Sequence, residues 1–396
     1  MIERAMPFWL TAWRKFRRDP LALAGLSGAL LLIFFAIYAP LISNSRPLMV
    51  VDENGWSMPF LSVLFAPDST ETTVECGFNY LMLWLPIALL LRIIMKKTKL
   101  RRALWIVLII FSLALLIPFL TSKPRLDKTD YLAQREDPTK TMIFTINPYG
   151  PFEQKGKPHE RPSITHWMGT DNIGRDITAR MFYGARVSLA VGLTATTLAL
   201  LIGTAIGLCS GYFGGKFDLI TMRLVEIVIC FPSFLLLLIL MSMFRDYKFE
   251  QSILVIIAVI GLTDWIGVCR LVRGEVLKAR MLPYISSCEV AGMPVWRLMV
   301  FHLLPNISGP ILISFTFGIV GAIVAESGLS FLGFGVQAPT ASWGGLLRQA
   351  FDDPFYCWPL TLFPGLALFF AVCSFNFVGE GLRKIFDPKT ENRSST

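Results

Sequence analysis

The sequence predicts an all-α fold, a polytopic bundle of transmembrane helices, on three observations. Of the 396 residues 54% are hydrophobic and 16% charged, with a mean hydropathy of +0.57, whereas a soluble domain averages roughly 25% charged residues. The long apolar runs approach or exceed the roughly 20 residues that cross a bilayer as a helix, and they are continuous, not alternating, which favours helices over a closed barrel. The formal charge of +9 is gathered in short clusters at run ends: Arg14, Lys15, Arg17 and Arg18; Lys96, Lys97, Lys99, Arg101 and Arg102; Arg383 and Lys384. Clusters so placed mark the cytoplasmic side of a membrane, not a nucleic-acid surface.

Taken in order, residues 1–43 read as a basic cytoplasmic N-terminus and a first anchor, Leu21 to Ser43. That run is too long for a signal-peptide core and has no small-x-small cleavage site after it. Residues 44–185 read as an inserted outer-face segment. Within it two apolar runs, Phe78 to Met95 and Ala103 to Leu120, are joined by the basic linker KKTKLRR, so a transmembrane hairpin over 78–120 is expected. Pro86 and Arg92 interrupt the first run, and a re-entrant hairpin is the alternative. Residues 121–162 show little periodicity and read as loop or a small outer-face domain. A helix is expected to start near Asp176.

The core, 186–382, holds five spans: Val187 to Tyr212, Ile220 to Phe244, Ile253 to Arg270, Ile307 to Leu329 and Leu360 to Leu382. With the anchor these make six core spans, and eight with the inserted pair. Residues 383–396 form a cytoplasmic tail, so both termini are expected in the cytoplasm. Arg270, Arg273, Lys278, Arg280, Arg297, Arg383 and Lys384 all fall on the side that alternation makes cytoplasmic. Arg175, Arg180 and Arg186 break that rule and are assigned to a folded outer-face segment. Pro232 should kink its span by removing a backbone donor. Gly203, Gly207, Gly211 and Gly215, four apart, predict a seam where a second backbone approaches closely.

Between the third and fourth core spans lies YISSCEVAGMPVWRLMVFHLLPN, Tyr284 to Asn306. Gly292 and Pro294 split it into two short helices, glycine suiting a helix C-terminus and proline the first turn of the next. On the second piece Trp296, Met299, Val300 and Leu303 recur at helical spacing, with Arg297 and His302 offering polar contacts. Such a helix lies on a membrane surface or in a partner's groove.

This stretch resembles the coupling loop of ABC-importer permeases, whose pattern runs Glu-Ala-Ala, then Gly, then a distal His-x-x-Pro. Counting back from His302 and Pro305 places the family's glycine on Gly292. The acidic-alanine triplet then falls on Ser286, Ser287 and Cys288, and Glu289 stands three residues late for its glutamate. GTDNIGRD is similar to a segment of dipeptide and oligopeptide permeases, matching at Gly169, Thr170, Asp171, Gly174, Arg175 and Asp176. LSFLGFGVQAPTASWGGLL and the terminal NFVGEGLRKIFDPK look like further parts of the same family. The resemblance is close over 162–389 and loose over 4–18.

It implies a type I ABC importer permease fold in the cytoplasmic (inner) membrane and a peptide cargo. The implied partners are a homologous permease, two cytoplasmic ATP-binding subunits and an extracytoplasmic substrate-binding protein. ATP would be bound by those partner subunits, so no cofactor is expected in this chain. The ATPase-coupling residues it implies are Ser286, Glu289, Gly292, Trp296, Arg297, His302 and Pro305.

Ionisable groups inside apolar runs usually face a bundle interior or a water-filled path. Glu226 and Glu380 lie near cytoplasmic ends and read as solvated termini. Asp264 and Glu326 are the candidates for the translocation pathway, Asp264 with pairing inside the bundle as its alternative. No catalytic residue is expected: GYFGGK superficially resembles a phosphate loop, but Phe217 follows Lys216 where a magnesium-binding Ser or Thr is required. No metal site is expected either, since His159, His166 and His302 lack zinc-ligand spacing. The odd cysteine count indicates no disulfide framework, although Cys76 and Cys357 could share the oxidising face.

Two readings compete with an ATP-driven permease. An ion-coupled secondary transporter or channel would call for mid-membrane carboxylates and inverted repeats. A membrane scaffold without transport would leave the coupling loop unexplained. Peptide length and side-chain preference are not written in this chain, and a cargo such as nickel stays open.

Overall fold

The computed structural model describes residues 8–52, 55–65, 72–94, 110, 112, 129–136, 140–245 and 252–386. Apart from short turns its helices are α1 (Phe8–Arg18), α2 (Pro20–Ile37), α3 (Thr72–Ile94), α4 (Ile177–Phe213), α5 (Gly215–Ile229), α6 (Ser233–Arg245), α7 (Ser252–Arg280), α8 (Pro283–Val290), α9 (Val295–Leu298), α10 (Ser308–Leu332), α11 (Trp343–Gln349) and α12 (Trp358–Phe386). Six of them, α2, α3, α4, α7, α10 and α12, are long and apolar enough to cross a membrane, and α5 with α6 forms an apolar pair bent by 84°, a broken span or a re-entrant loop. The anchor and four of the five expected core spans are therefore single helices, and the second core span, Ile220 to Phe244, is that bent pair. The KKTKLRR linker and, apart from residues 110 and 112, the expected Ala103 to Leu120 run lie outside the described residues, so of the inserted pair the first run is described, as α3.

Local chemistry sets the helix ends. Asp19 caps α2 by accepting from the Leu21 amide at 3.0 Å, with Pro20 in the first turn. The anchor stops at Ile37, and a one-turn helix, Ala39–Ile42, completes the run that had been expected to be continuous. Asp176 caps α4 through the Ala179 amide at 2.8 Å, so that helix begins ten residues before the span it contains. The predicted span Ile220 to Phe244 is not one helix: α5 and α6 meet at 84° around Cys230 to Pro232. Pro232 has no N–H to continue α5, and its carbonyl instead accepts from Leu236 at 3.0 Å to open α6.

Two seams hold the bundle. A Cβ on Gly203 would stand 2.6 Å from the Trp265 carbonyl, one on Gly207 2.6 Å from the Cys269 carbonyl and one on Gly211 2.8 Å from Val276 Cβ. These three glycines let α4 and α7 touch backbone to backbone. Gly215 does not join them: with Gly214 it forms the turn into α5, at φ +58° and +63°. The anchor α2 docks on α12 in the same manner, Gly25 against Ser374 and Phe377, and Gly381 against Ala22.

Between the seams, buried Leu32, Ala36, Leu189, Ile319, Ile323, Leu360 and Phe375 join α2, α4, α10 and α12. The passage between α10 and α12 carries a largely buried short helix, α11. Trp343 of α11 is 1% exposed and donates its indole N–H to the Met181 carbonyl at 3.1 Å.

The inserted segment adds a small sheet to the all-α plan, β1 (Met49–Asp52), β2 (Gly55–Ser57) and β3 (Thr141–Ile143), antiparallel in the order β2-β1-β3. It is tied to the bundle by Arg186. That residue lies within α4 itself, wholly buried, and donates to Glu75 Oε2 at 2.6 Å and Asn79 Oδ1 at 3.0 Å on α3. Its remaining donors reach the Ala36 and Ile37 carbonyls at the end of α2, at 2.7 and 3.1 Å. Arg186 departs from the positive-inside pattern because it is a buried, paired group, not a loop charge.

Candidate functional site

Beyond α7 the chain makes the split loop. The end of α8 is a Schellman turn: Met293 N–H reaches the Cys288 carbonyl at 3.1 Å and Gly292 N–H the Glu289 carbonyl at 3.0 Å, with Gly292 at φ +72°. Pro294 then opens α9, and a π-turn over Met299–Leu303 leads to Leu304–Asn306. Pro305 cannot donate to the carbonyl four residues back, and a widened turn relieves that break. His302 sits in this turn, partly buried, and Pro305 is exposed just after it.

The predicted apolar stripe is divided between two faces. Leu298 and Leu303, both 0% exposed, pack with Met299, Ile285 and the bundle residues Val276, Ala279, Ile307 and Leu208. Trp296 and Val300 point the other way. Trp296 is 62% exposed and lies edge-on to exposed Phe301 at 6.0 Å between ring centroids. Val290, at the tip of α8, is 89% exposed. The loop thus has an apolar base fixed in the bundle and an apolar crown open to a partner. Ser286 and Arg297 are exposed around it.

Glu289, out of register with the family pattern, accepts a hydrogen bond from the Tyr212 hydroxyl at 3.1 Å. Arg280 donates to the Tyr212 carbonyl at 2.9 Å and lies over its ring at 5.5 Å. The loop is therefore hydrogen-bonded to the end of α4 as well as packed on it. Two helical turns inward, Arg273 of α7 holds Asp218 of α5, Nη2 to Oδ2 at 2.6 Å. None of Tyr212, Arg273 or Arg280 stood out as a site residue in the sequence. Their signal is a basic residue on α7 facing an acid or phenol across a glycine seam, which is visible only once the seam's register is known.

The two pathway candidates have different surroundings. Glu326 is 0% exposed; Ser330 donates to it at 2.7 Å, Ser188 at 3.0 Å and Ser327 at 3.4 Å. It pins α10 to α4 inside the bundle. Asp264 instead lines a cleft of about 400 Å³ at the break between α5 and α6, with Phe231, Pro232, Ser233, Leu236 and Thr263.

At the opposite end of α4 the GTDNIGRD passage is a compact knot. Gly169 and Gly174 take φ +82° and +85°, and a Cβ on either would strike the Glu160 or Gly156 carbonyl. Buried Asp171 accepts from the Arg175 amide at 2.9 Å and its Nε at 2.7 Å, and Arg180 Nε lies 3.5 Å away. Asp176 also takes Asn147 at 2.8 Å and the His166 ring at 2.9 Å. These are folding contacts, which is why Arg175 and Arg180 tolerate burial. Cys76 and Cys357 are both free, and Cys357 Sγ lies 3.4 Å from His159 Nδ1.

Residues 203–392 match the family model described as the inner membrane component of binding-protein-dependent transport systems. Residues 7–56 match that of the N-terminal transmembrane domain of oligopeptide transport permease C. The chain is 35% identical over 298 residues to the dipeptide transport system permease protein of Bacillus subtilis (strain 168), covering 74% of this chain and 83% of that one. It is 39% identical over 229 residues to the oligopeptide transport system permease protein of the same organism, covering 58% and 73%. It is also 36% identical over 234 residues to a glutathione transport system permease protein of Pectobacterium atrosepticum, covering 59% and 76%.

Proposed function

The chain belongs to the family of inner-membrane permease components of binding-protein-dependent transport systems, and from that premise we propose that it carries peptides across the cytoplasmic membrane in an ATP-driven importer. Its partners in this reading are a second, homologous permease, two cytoplasmic ATP-binding subunits and an extracytoplasmic binding protein. Both termini and the split loop face the cytoplasm in this reading, which the basic clusters at the run ends support. ATP is held by the ATP-binding subunits and not by this chain.

The observation that supports this best is the two-faced loop, with Leu298 and Leu303 buried in the bundle while Trp296, Phe301 and Val290 stand exposed. An exposed aromatic knob on a rigid base is the form a groove-binding anchor takes. Movement of an ATP-binding subunit would be passed through that base to α7, and across the glycine seam to α4, which are too closely packed to slide independently. α5 and α6, meeting at their 84° break, would then alter the opening beside Asp264. Driving a two-state bundle from 1:99 to 99:1 takes about 5.5 kcal/mol of differential binding, which ATP and the loaded binding protein together can supply.

The test is co-expression with the ATP-binding subunits and purification in detergent. Trp296→Ala with Phe301→Ala should lose the ATPase from the complex and abolish uptake, while the permease still inserts. Retained ATPase with wild-type uptake would remove the coupling role. An ion-coupled carrier or channel is not favoured, because the relatives are binding-protein-dependent permeases.

A further inference from the structure

We propose that Asp264 binds a positively charged group of the cargo, an ammonium or guanidinium, in the cleft where α5 and α6 break; this rests on the permease reading above. Asp264 lies twelve residues into α7, roughly 18 Å from Ser252 at about 1.5 Å per residue. An acid inside an apolar run faces a bundle interior or a water-filled path, and Asp264 is exposed to the cleft.

Other acidic groups of the core helices are met from within the chain. Glu326 has its serines, Asp218 has Arg273, Glu75 has Arg186, Glu226 has Arg223 and Glu275 has Lys278. Asp264 makes no hydrogen bond or ion pair among the described residues. It opens instead on a cleft of about 400 Å³, within the roughly 300–1,000 Å³ of small-molecule sites.

The sign of the cleft follows from its walls. Val228, Ile229, Phe231, Pro232, Ser233, Leu236, Thr263, Ile266 and Gly267 include no base, so nothing there neutralises the carboxylate. The last carbonyls of α5 end at the cleft and add partial negative charge. The first turn of α6 opposes them with about half a positive charge, and these two end effects offset each other. The full charge of Asp264 is left to decide, and it selects a cation. Such a cation has two sources on a peptide, its α-ammonium or a basic side chain.

The test uses the assembled complex of permeases and ATP-binding subunits in nanodiscs, as wild type, Asp264→Asn and Asp264→Glu. Equilibrium binding is measured for trialanine, N-acetyl-Ala-Lys-Ala and N-acetyl-trialanine. The wild type should bind at least one of the first two at least fivefold more tightly than the third; trialanine alone identifies the α-ammonium and the lysine peptide alone the side chain. Asp264→Asn should erase the preference and Asp264→Glu should keep it. Equal binding of all three by the wild type, a preference surviving in Asp264→Asn, or no measurable binding would each overturn the site. ATP-dependent uptake of trialanine by the wild type in proteoliposomes with the binding protein is measured alongside. Uptake without charge preference removes the site and leaves the permease reading standing, whereas no uptake removes both.

Discussion

Gly292 stands at φ +72° with nothing within 4 Å of where a Cβ would be, so a substitution there meets a backbone cost and no steric one. Gly292→Ala should cost roughly 1 kcal/mol at the Schellman turn and leave most transport. Gly292→Asp adds a charge that must be desolvated in a partner's groove, and we expect intact insertion with uptake abolished. Arg297→Ala, at an exposed position, should be milder than either. Peptide uptake in membranes, normalised to inserted protein, checks all three; wild-type uptake by Gly292→Asp would contradict the coupling role. Arg186 is the converse case, a buried charge with four acceptors. Glu75→Gln removes its counter-charge and should destabilise the detergent-solubilised protein by about 3–5 kcal/mol. An unchanged melting temperature would mean that Asn79 and the α2 carbonyls satisfy Arg186 alone.

At the scale of elements, the α4–α7 seam makes the sharpest forecast because the allowed space is so small. A Cβ at Gly207 would be 2.6 Å from the Cys269 carbonyl, a backbone atom that cannot turn aside. Gly207→Leu should therefore separate the helices and lower both assembly and thermal stability. Gly274→Leu on α7, where a Cβ meets nothing within 4 Å, serves as the matched control and should behave as wild type. Equal melting of the two variants would remove the seam from the mechanism, since α4 and α7 could then move separately under the loop. The loop itself depends on that seam: Tyr212 ends one of its helices and Arg280 the other, and Glu289 reaches the first.

Across the whole molecule the start of α2 meets the end of α12. Lys384 Nζ donates to Asp19 Oδ2 at 2.6 Å, and this hydrogen bond holds the Asp19 carboxyl below its ordinary value. A depressed carboxyl contributes stability above the unfolded value of about 3.9 and loses it as pH falls through the lower folded one. The tie between the start of α2 and the end of α12 should thus be unchanged from pH 5 to 8 and weaken only below about pH 4. Thermal melting of the wild type against Lys384→Met across this pH range would follow it. For the insertion, the basic linker predicts that a cysteine at Lys97 is labelled from the cytoplasm. Labelling from outside would show that the hairpin does not cross.

The membrane class, the anchor, four of the five core spans and the split at Gly292 and Pro294 were legible in the sequence, whereas the 84° extent of the break at Pro232 in the remaining span was not. Apolar run length, glycine and proline are local signals that act over one or two helical turns. The cap at Asp176 was legible for the same reason. What the tertiary structure decided depends on which helix faces which. Trp296 and Leu303 share a helical spacing, yet one is exposed and the other buried, because the bundle covers only one side of the loop. Glu326 and Asp264 are both acids in apolar runs, but serines on α4 and α10 enclose the first and the break at Pro232 opens a cleft before the second. Arg186 looked like a misplaced loop charge until α3 supplied Glu75, a partner 111 positions away in the chain. Periodicity reports the pattern along one helix. The burial of a charge is settled by the neighbour across from it, and only packing brings that neighbour there.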